Sequence, residues 1–196
     1  KHHAALPIDA MPAFMERLGS QGGIAARALA FAILTATRSQ EVRGATWAEI
    51  DMDQASWTIP GTRMKAGKEH SVPLSRQATA LLKSLPRVAG TDLVFASPTG
   101  KVLSDMTLSA VMRRMKIDAV PHGFRSTFRD WVAERTSFPR DVAEMALAHT
   151  IGDKVEAAYR RGDLFSKRTK MMADWAKFIT TLPPAGNVTS IQRKAG

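Results

Sequence analysis

The chain of 196 residues has the length of one domain, and its 44% apolar content gives it enough material for a core without staples. It has no cysteine, which excludes disulfides and thiolate metal sites, and no apolar run approaches the length of a membrane span. The net charge of +10 favours a polyanionic partner; the lysines and arginines are scattered along the chain rather than gathered on one amphipathic helix, which disfavours a membrane surface.

Taken in chain order, residues 7–18 are expected to form a short helix with Asp9 as its N-cap, ended by Gly22-Gly23. An alanine-rich helix over 24–36, carrying Leu29, Phe31, Ile33 and Leu34, is long and apolar enough to be buried. A short helix over 41–45 follows. Residues 50–55 fit the end of a strand and a turn, 56–59 a second strand and 70–73 a third, with Pro60-Gly61 and Lys65-Ala66-Gly67-Lys68 as breaks between them. The pattern predicts a small antiparallel sheet with a basic hairpin tip. Ser75 caps a helix running to 85; 93–95 is extended and Ser97-Pro98-Thr99-Gly100 is a turn. Helices are expected over 104–116, 122–134 and 139–148, then a short one around Tyr159 and a last one over 163–182. Pro183-Pro184-Ala185-Gly186 ends it, and a polar, basic tail follows. There is no internal repeat. The fold class is mainly α with a small antiparallel β-sheet.

Three short pieces carry chemistry. Tyr159 is the only tyrosine and lies ten positions after His149; Arg38 precedes Glu41 by three; His122 and Arg125, also three apart, share one side of a predicted helix. Each has an ordinary structural reading alone: a surface ion pair, a helix-start histidine, a core histidine. Together they suit phosphorus chemistry. An arginine grips phosphate oxygens with a planar fork and stays charged at working pH, and two such forks with imidazole donors can hold a pentacoordinate phosphorane. Ionising a free tyrosine at neutral pH costs about 4 kcal/mol, which a cationic cage offsets. A departing 5′-alkoxide needs a proton, and Lys65 and Lys68 on the hairpin tip are the candidates.

This ordered set resembles the tyrosine recombinase family, in particular its phage and genomic-island integrases, over most of the chain (6–182). The first family box is similar to residues 35–51, with Arg38, Glu41 and Trp47 in place; Ala36 stands where glycine is frequent. The family's His-x-x-Arg box is similar to Pro121-His122-Gly123-Phe124-Arg125, and its third box to Leu147-Ala148-His149-Thr150. Thr62-Arg63-Met64-Lys65, running into residues 70–75, resembles the catalytic-lysine hairpin. The resemblance implies the recombinase catalytic-domain fold, Tyr159 as nucleophile forming a 3′-phosphotyrosyl link, and Arg38, Arg125, His122 and His149 as phosphate ligands. It also implies Lys65, in preference to Lys68, as general acid and Glu41 as support for Arg38. No metal or ATP is then required. The implied partners are double-stranded DNA attachment sites, a homotetramer in the synaptic complex of a full-length parent, and accessory DNA-bending or directionality factors, in the cytoplasm at the nucleoid and away from membranes. Family members usually carry a core-binding domain, many also an arm-binding domain, ahead of the catalytic one. The chain is therefore expected to be a catalytic domain over 1–182 with a tail over 183–196, lacking half of a C-shaped clamp.

Other readings are weaker. No phosphate-cradling Gly-rich loop with lysine is present. Asp51 and Asp53 could pair on a metal, though a turn between strands explains them better; Ser39 has no base placed by sequence. Met171, Met172, Trp175 and Phe178 fit a core or docking face. A DNA-binding regulator that kept the fold, or a type IB topoisomerase-like enzyme, is the alternative function.

Overall fold

The computed structural model describes residues 4–149 and 164–183. A 3-10 turn, Ile8–Ala10, leads into α1 (Met11–Gly19). Asp9 makes no cap there; its carboxylate pairs instead with Arg135, 3.0 Å away. The central element is α2 (Ile24–Thr35), whose Ala28, Leu29, Phe31 and Ile33 are all buried. Apart from the exposed Arg27 the helix is almost wholly apolar and has to be surrounded, and α2 packs on α1, on α3 (Ser39–Arg43), on α4 (Arg76–Lys83), on α5 (Thr107–Arg114) and on α8 (Phe165–Thr180). Ser75 caps α4 through its side-chain oxygen, which accepts from the Ala78 N–H at 3.2 Å.

The sheet is antiparallel in the order β1 (Ile50–Asp51), β2 (Ser56–Ile59), β3 (His70–Pro73). Trp57 pairs with Val72 and Ile59 with His70. Strand alternation sends Trp57, Ile59 and Val72 into the core while Ser56 and Thr58 stay half-exposed. Trp57 and Phe95 each lie against Phe31, at ring separations of 5.4 and 5.3 Å. Between α6 (Gly123–Arg135) and α8, Phe128, Trp131, Trp175 and Phe178 form a second aromatic group, and the Trp175 indole N–H donates to the Ile33 carbonyl at 2.8 Å. The methionines and aromatics of α8 are therefore core. α5 and α8 are shorter than their apolar patterns predict, α5 beginning at Thr107 and α8 at Phe165 after Leu164, which is left-handed (φ 54°).

The first described residues lie across the start of α6. The Val120 N–H donates to Ala4 O at 3.1 Å and the Thr127 hydroxyl to Leu6 O at 2.6 Å. A Cβ on Gly123 would stand 2.1 Å from Ala4 O, so only glycine fits there.

Candidate functional site

Two helix ends are built alike. α2 closes with Ala36 left-handed at φ 52°, the Thr37 N–H reaching Ala32 O and the Ala36 N–H reaching Ile33 O. α7 (Arg140–Ala146) closes with Ala148 left-handed at φ 47°, the His149 N–H reaching Glu144 O at 2.9 Å and the Ala148 N–H reaching Met145 O at 3.0 Å. Both are Schellman closures, a motif that usually takes glycine at the left-handed position. Each reverses the chain just before a candidate residue, Arg38 in one case and His149 in the other.

Arg125, on the buried face of α6, joins the two ends. Its Nη1 donates to Ala36 O, and its Nη2 to Leu147 O at 2.6 Å and to His149 Nε2 at 3.2 Å. A buried guanidinium is costly; here two helix C-termini, which carry partial negative charge, offset the cost. Burial, and after it the nearby Arg38, pulls the Arg125 pKa down to about 10, which leaves it cationic at neutral pH. Its Nε is buried without a hydrogen-bond partner among the described residues.

Arg38 is more open. Glu41, nearly fully buried, holds it twice: Oε2 accepts from the Arg38 backbone N–H at 2.7 Å and Oε1 from Nη1 at 2.8 Å. The rest of the Arg38 fork faces a cleft of about 570 Å³ whose lining includes Arg43, Arg63, Lys65 and Val102. Lys65 and Lys68 are both exposed on the β2–β3 connection, and of the two Lys65 lines the cleft. His122 is exposed at the start of α6, one turn before Arg125. Arg38 is thus bound to Glu41 and Arg125 to His149, the two arginines near enough for their charges to interact, and Lys65 lines the same cleft as Arg38 and Glu41. Tyr159 lies outside the described residues, as does nearly all of the expected tail.

Several supporting residues escape a reading by motif. Arg63, at the base of the hairpin, pairs with Glu49 and donates to the Glu41 carbonyl. Glu49 also accepts from the Trp57 indole N–H at 2.9 Å. Glu144 accepts from His149 Nδ1 at 2.7 Å. Arg168, fully buried on α8, donates to Ser71 O at 2.6 Å. His70 lies beside it: burial first, then the Arg168 charge, lowers the His70 pKa to about 4. Arg63 and His70 left a trace in the sequence, both within the hairpin match, and alternation puts His70 on the same face as Val72. Asp51 caps its own turn, Oδ1 accepting from the N–H groups of Asp53 and Gln54, and no group of metal-ligating side chains occurs among the described residues.

The Phage integrase family model matches residues 7–163. The chain is 34% identical to the integrase of Enterobacteria phage P4, over 91% of this chain and 46% of that protein. To Prophage integrase IntA of Escherichia coli K12 it is 37% identical, over 75% of this chain and 37% of the relative. It spans less than half the length of these curated relatives. Its fold is similar to a lambda integrase solved as a tetramer bound to a Holliday junction (TM-score 0.58, 16% identity, 83% of this chain and 49% of that one). XerA recombinase gives a TM-score of 0.61 at 14% identity, over 88% of this chain and 58% of that one.

Proposed function

The chain belongs to the phage integrase family of tyrosine recombinases, and on that premise we propose that it is the catalytic domain of a site-specific DNA strand transferase. The observation that carries the proposal is the pair of guanidiniums, Arg38 and Arg125, fixed by carbonyls and Glu41 close enough to repel one another. A bound dianion or phosphorane relieves that repulsion, and the relief grows as charge accumulates on the phosphoryl oxygens in the transition state.

In this reading the Tyr159 hydroxyl attacks the scissile phosphorus. The P–O5′ bond breaks as the P–O(Tyr) bond forms, the phenolic proton passes to His149 or to solvent, and Lys65 gives a proton to the departing 5′-oxygen. His122, Arg38 and Arg125 bind the non-bridging oxygens, and Glu41 holds Arg38 in place. The phosphotyrosyl ester conserves the bond energy, so rejoining is the same path reversed, with the 5′-hydroxyl as nucleophile. The substrate is double-stranded DNA at attachment sites of a mobile element, worked on by a homotetramer of the longer parent at the nucleoid, with accessory bending or directionality factors.

A nicked suicide duplex tests the proposal. The chain should form a covalent protein–DNA band that survives boiling in detergent, and Tyr159→Phe should abolish the band while leaving thermal stability unchanged. A band that persists in the Phe variant assigns the nucleophile elsewhere; no band from the unaltered chain on its attachment sequence overturns the strand-transfer reading.

A further inference from the structure

His149 sits between two partners whose polarity settles its own. Arg125 carries only donor hydrogens, so at 3.2 Å from Arg125 Nη2 the His149 Nε2 has to be an acceptor. The single proton of the neutral ring is then on Nδ1, which donates it to Glu144 Oε2 at 2.7 Å. Glu144 is itself held: the Arg129 Nε is 2.8 Å from its Oε1, off the hydrogen-bonding direction, and the Arg140 Nε is 3.7 Å away. Burial pushes the Glu144 pKa up, but the bond from His149 and the charges of Arg129, His149 and Arg140 outweigh it and hold the carboxyl below its ordinary range. The charged groups around His149 are thus Arg125 and Arg129 from α6 and Glu144 and Arg140 from α7, with His70 of β3 behind Arg125.

We propose that Glu144 is a positioning residue that locks His149 in the Nδ1–H tautomer, so that the ring presents the Nε2 lone pair toward the phosphate-binding arginine and enters the reaction as a proton acceptor. The proposal rests on the strand-transfer reading for its role in the reaction, but the tautomer does not depend on it. An imidazole left to itself is free to place its proton on Nε2, where it could only donate. With the carboxylate opposite Nδ1, and the Arg125 Nη2 drawn from the ring onto phosphate, the freed Nε2 lone pair takes the proton of the attacking hydroxyl, the imidazolium so formed keeps both N–H groups, and Glu144 balances its charge. In rejoining, that Nε2 proton returns to the phenolate oxygen as it leaves phosphorus. Glu144 touches no reacting atom; it acts through the ring.

The ¹⁵N shifts of the imidazoles in the 196-residue chain at pH 8 test this first, with the His149 signals identified by their loss in His149→Gln. The expected result is a protonated Nδ1 and a pyridine-type Nε2. Glu144→Gln, whose amide oxygen still accepts, should keep that tautomer; Glu144→Ala should move the proton largely to Nε2. A pyridine-type Nδ1 in the unaltered chain, or an unmoved tautomer in Glu144→Ala, overturns the proposal whether or not DNA is cleaved. Single-turnover cleavage of the suicide duplex is the second arm. Glu144→Ala should slow it about tenfold, by analogy with the loss of an orienting carboxylate behind a metal-bound histidine. Glu144→Gln, which keeps an acceptor opposite Nδ1, should be slowed less than Glu144→Ala. Rates that fall only in step with thermal stability, or equally in both variants, reduce Glu144 to a structural role and overturn its part in the reaction. A chain with the expected tautomer and no cleavage at all would instead count against the strand-transfer reading.

Discussion

Burial beside Arg168 keeps the His70 ring neutral well below the pH at which an ordinary imidazole takes its proton. The unfolded chain protonates this histidine near 6.5 and the native chain near 4, so acid favours the unfolded state throughout that interval. Stability is therefore complete above 6.5, falls as pH drops toward 4, and loses ~3 kcal/mol in all from this one residue. Glu144 is lowered as well, and as a carboxyl it contributes stability that is present above the ordinary carboxylate range and is lost below it, so the interval from 6.5 to 4.5 belongs to His70. Urea melts at closely spaced pH values should show this slope in the parent and a flattened one in His70→Gln; parallel slopes would remove His70 from the account. The hairpin match took in His70 without marking its burial. Its neighbours Arg168, Glu41 and Arg125 come from three other elements, and a single sequence contains no measure of such approaches.

The hairpin between β2 and β3 has a fixed base and an exposed tip. Arg63, in the 3-10 turn Gly61–Arg63, ties the base to Glu49 and to the Glu41 carbonyl of α3, while residues 65–69 are exposed. Gly44 makes room for the fork, since a Cβ there would meet Arg63 Nη2 at 3.1 Å. Arg63→Ala should cost about 2 kcal/mol, the range for hydrogen bonds to a charged group that are partly buried. If Lys65 is the general acid, the variant should also slow cleavage far more on a normal duplex than on one with a 5′-thio leaving group, because a thiolate departs without a proton. Equal losses on both would separate Arg63 from the placement of Lys65. At this scale the sequence was most informative. Strands 56–59 and 70–73 are where alternation and the flanking Pro and Gly put them, and the helices agree to within a residue or two except at the starts of α1 and α5. Helix ends depend on which carbonyls find partners elsewhere, and that is decided by packing. Asp9 shows the same limit: a good capping residue by type, it pairs instead with Arg135, 126 residues away along the chain.

For the whole molecule, the net charge of +10 sets the expected behaviour on DNA. Binding by this chain should weaken steeply with salt, by about 10³-fold between 50 and 200 mM for six phosphate contacts. A fluorescence-anisotropy titration measures the slope, and tight binding insensitive to salt would mean that this unit reads bases unaided. The fold class was legible as a whole because one almost wholly apolar helix, three short strands and several amphipathic helices admit few arrangements. The joint between the incoming chain and α6 was not, because it rests on backbone contact across Gly123. Gly123→Ala forces the segment at Ala4 away from the helix and breaks the Val120–Ala4 bond; it should lower the melting temperature and open the first residues to protease, and an unchanged digestion pattern would show that the contact is dispensable. The segment from Ala4 to Leu6 is thus a splint laid across the start of α6: it is fastened before the helix at Val120 and within it at Thr127, on either side of the turn that carries His122 and Arg125.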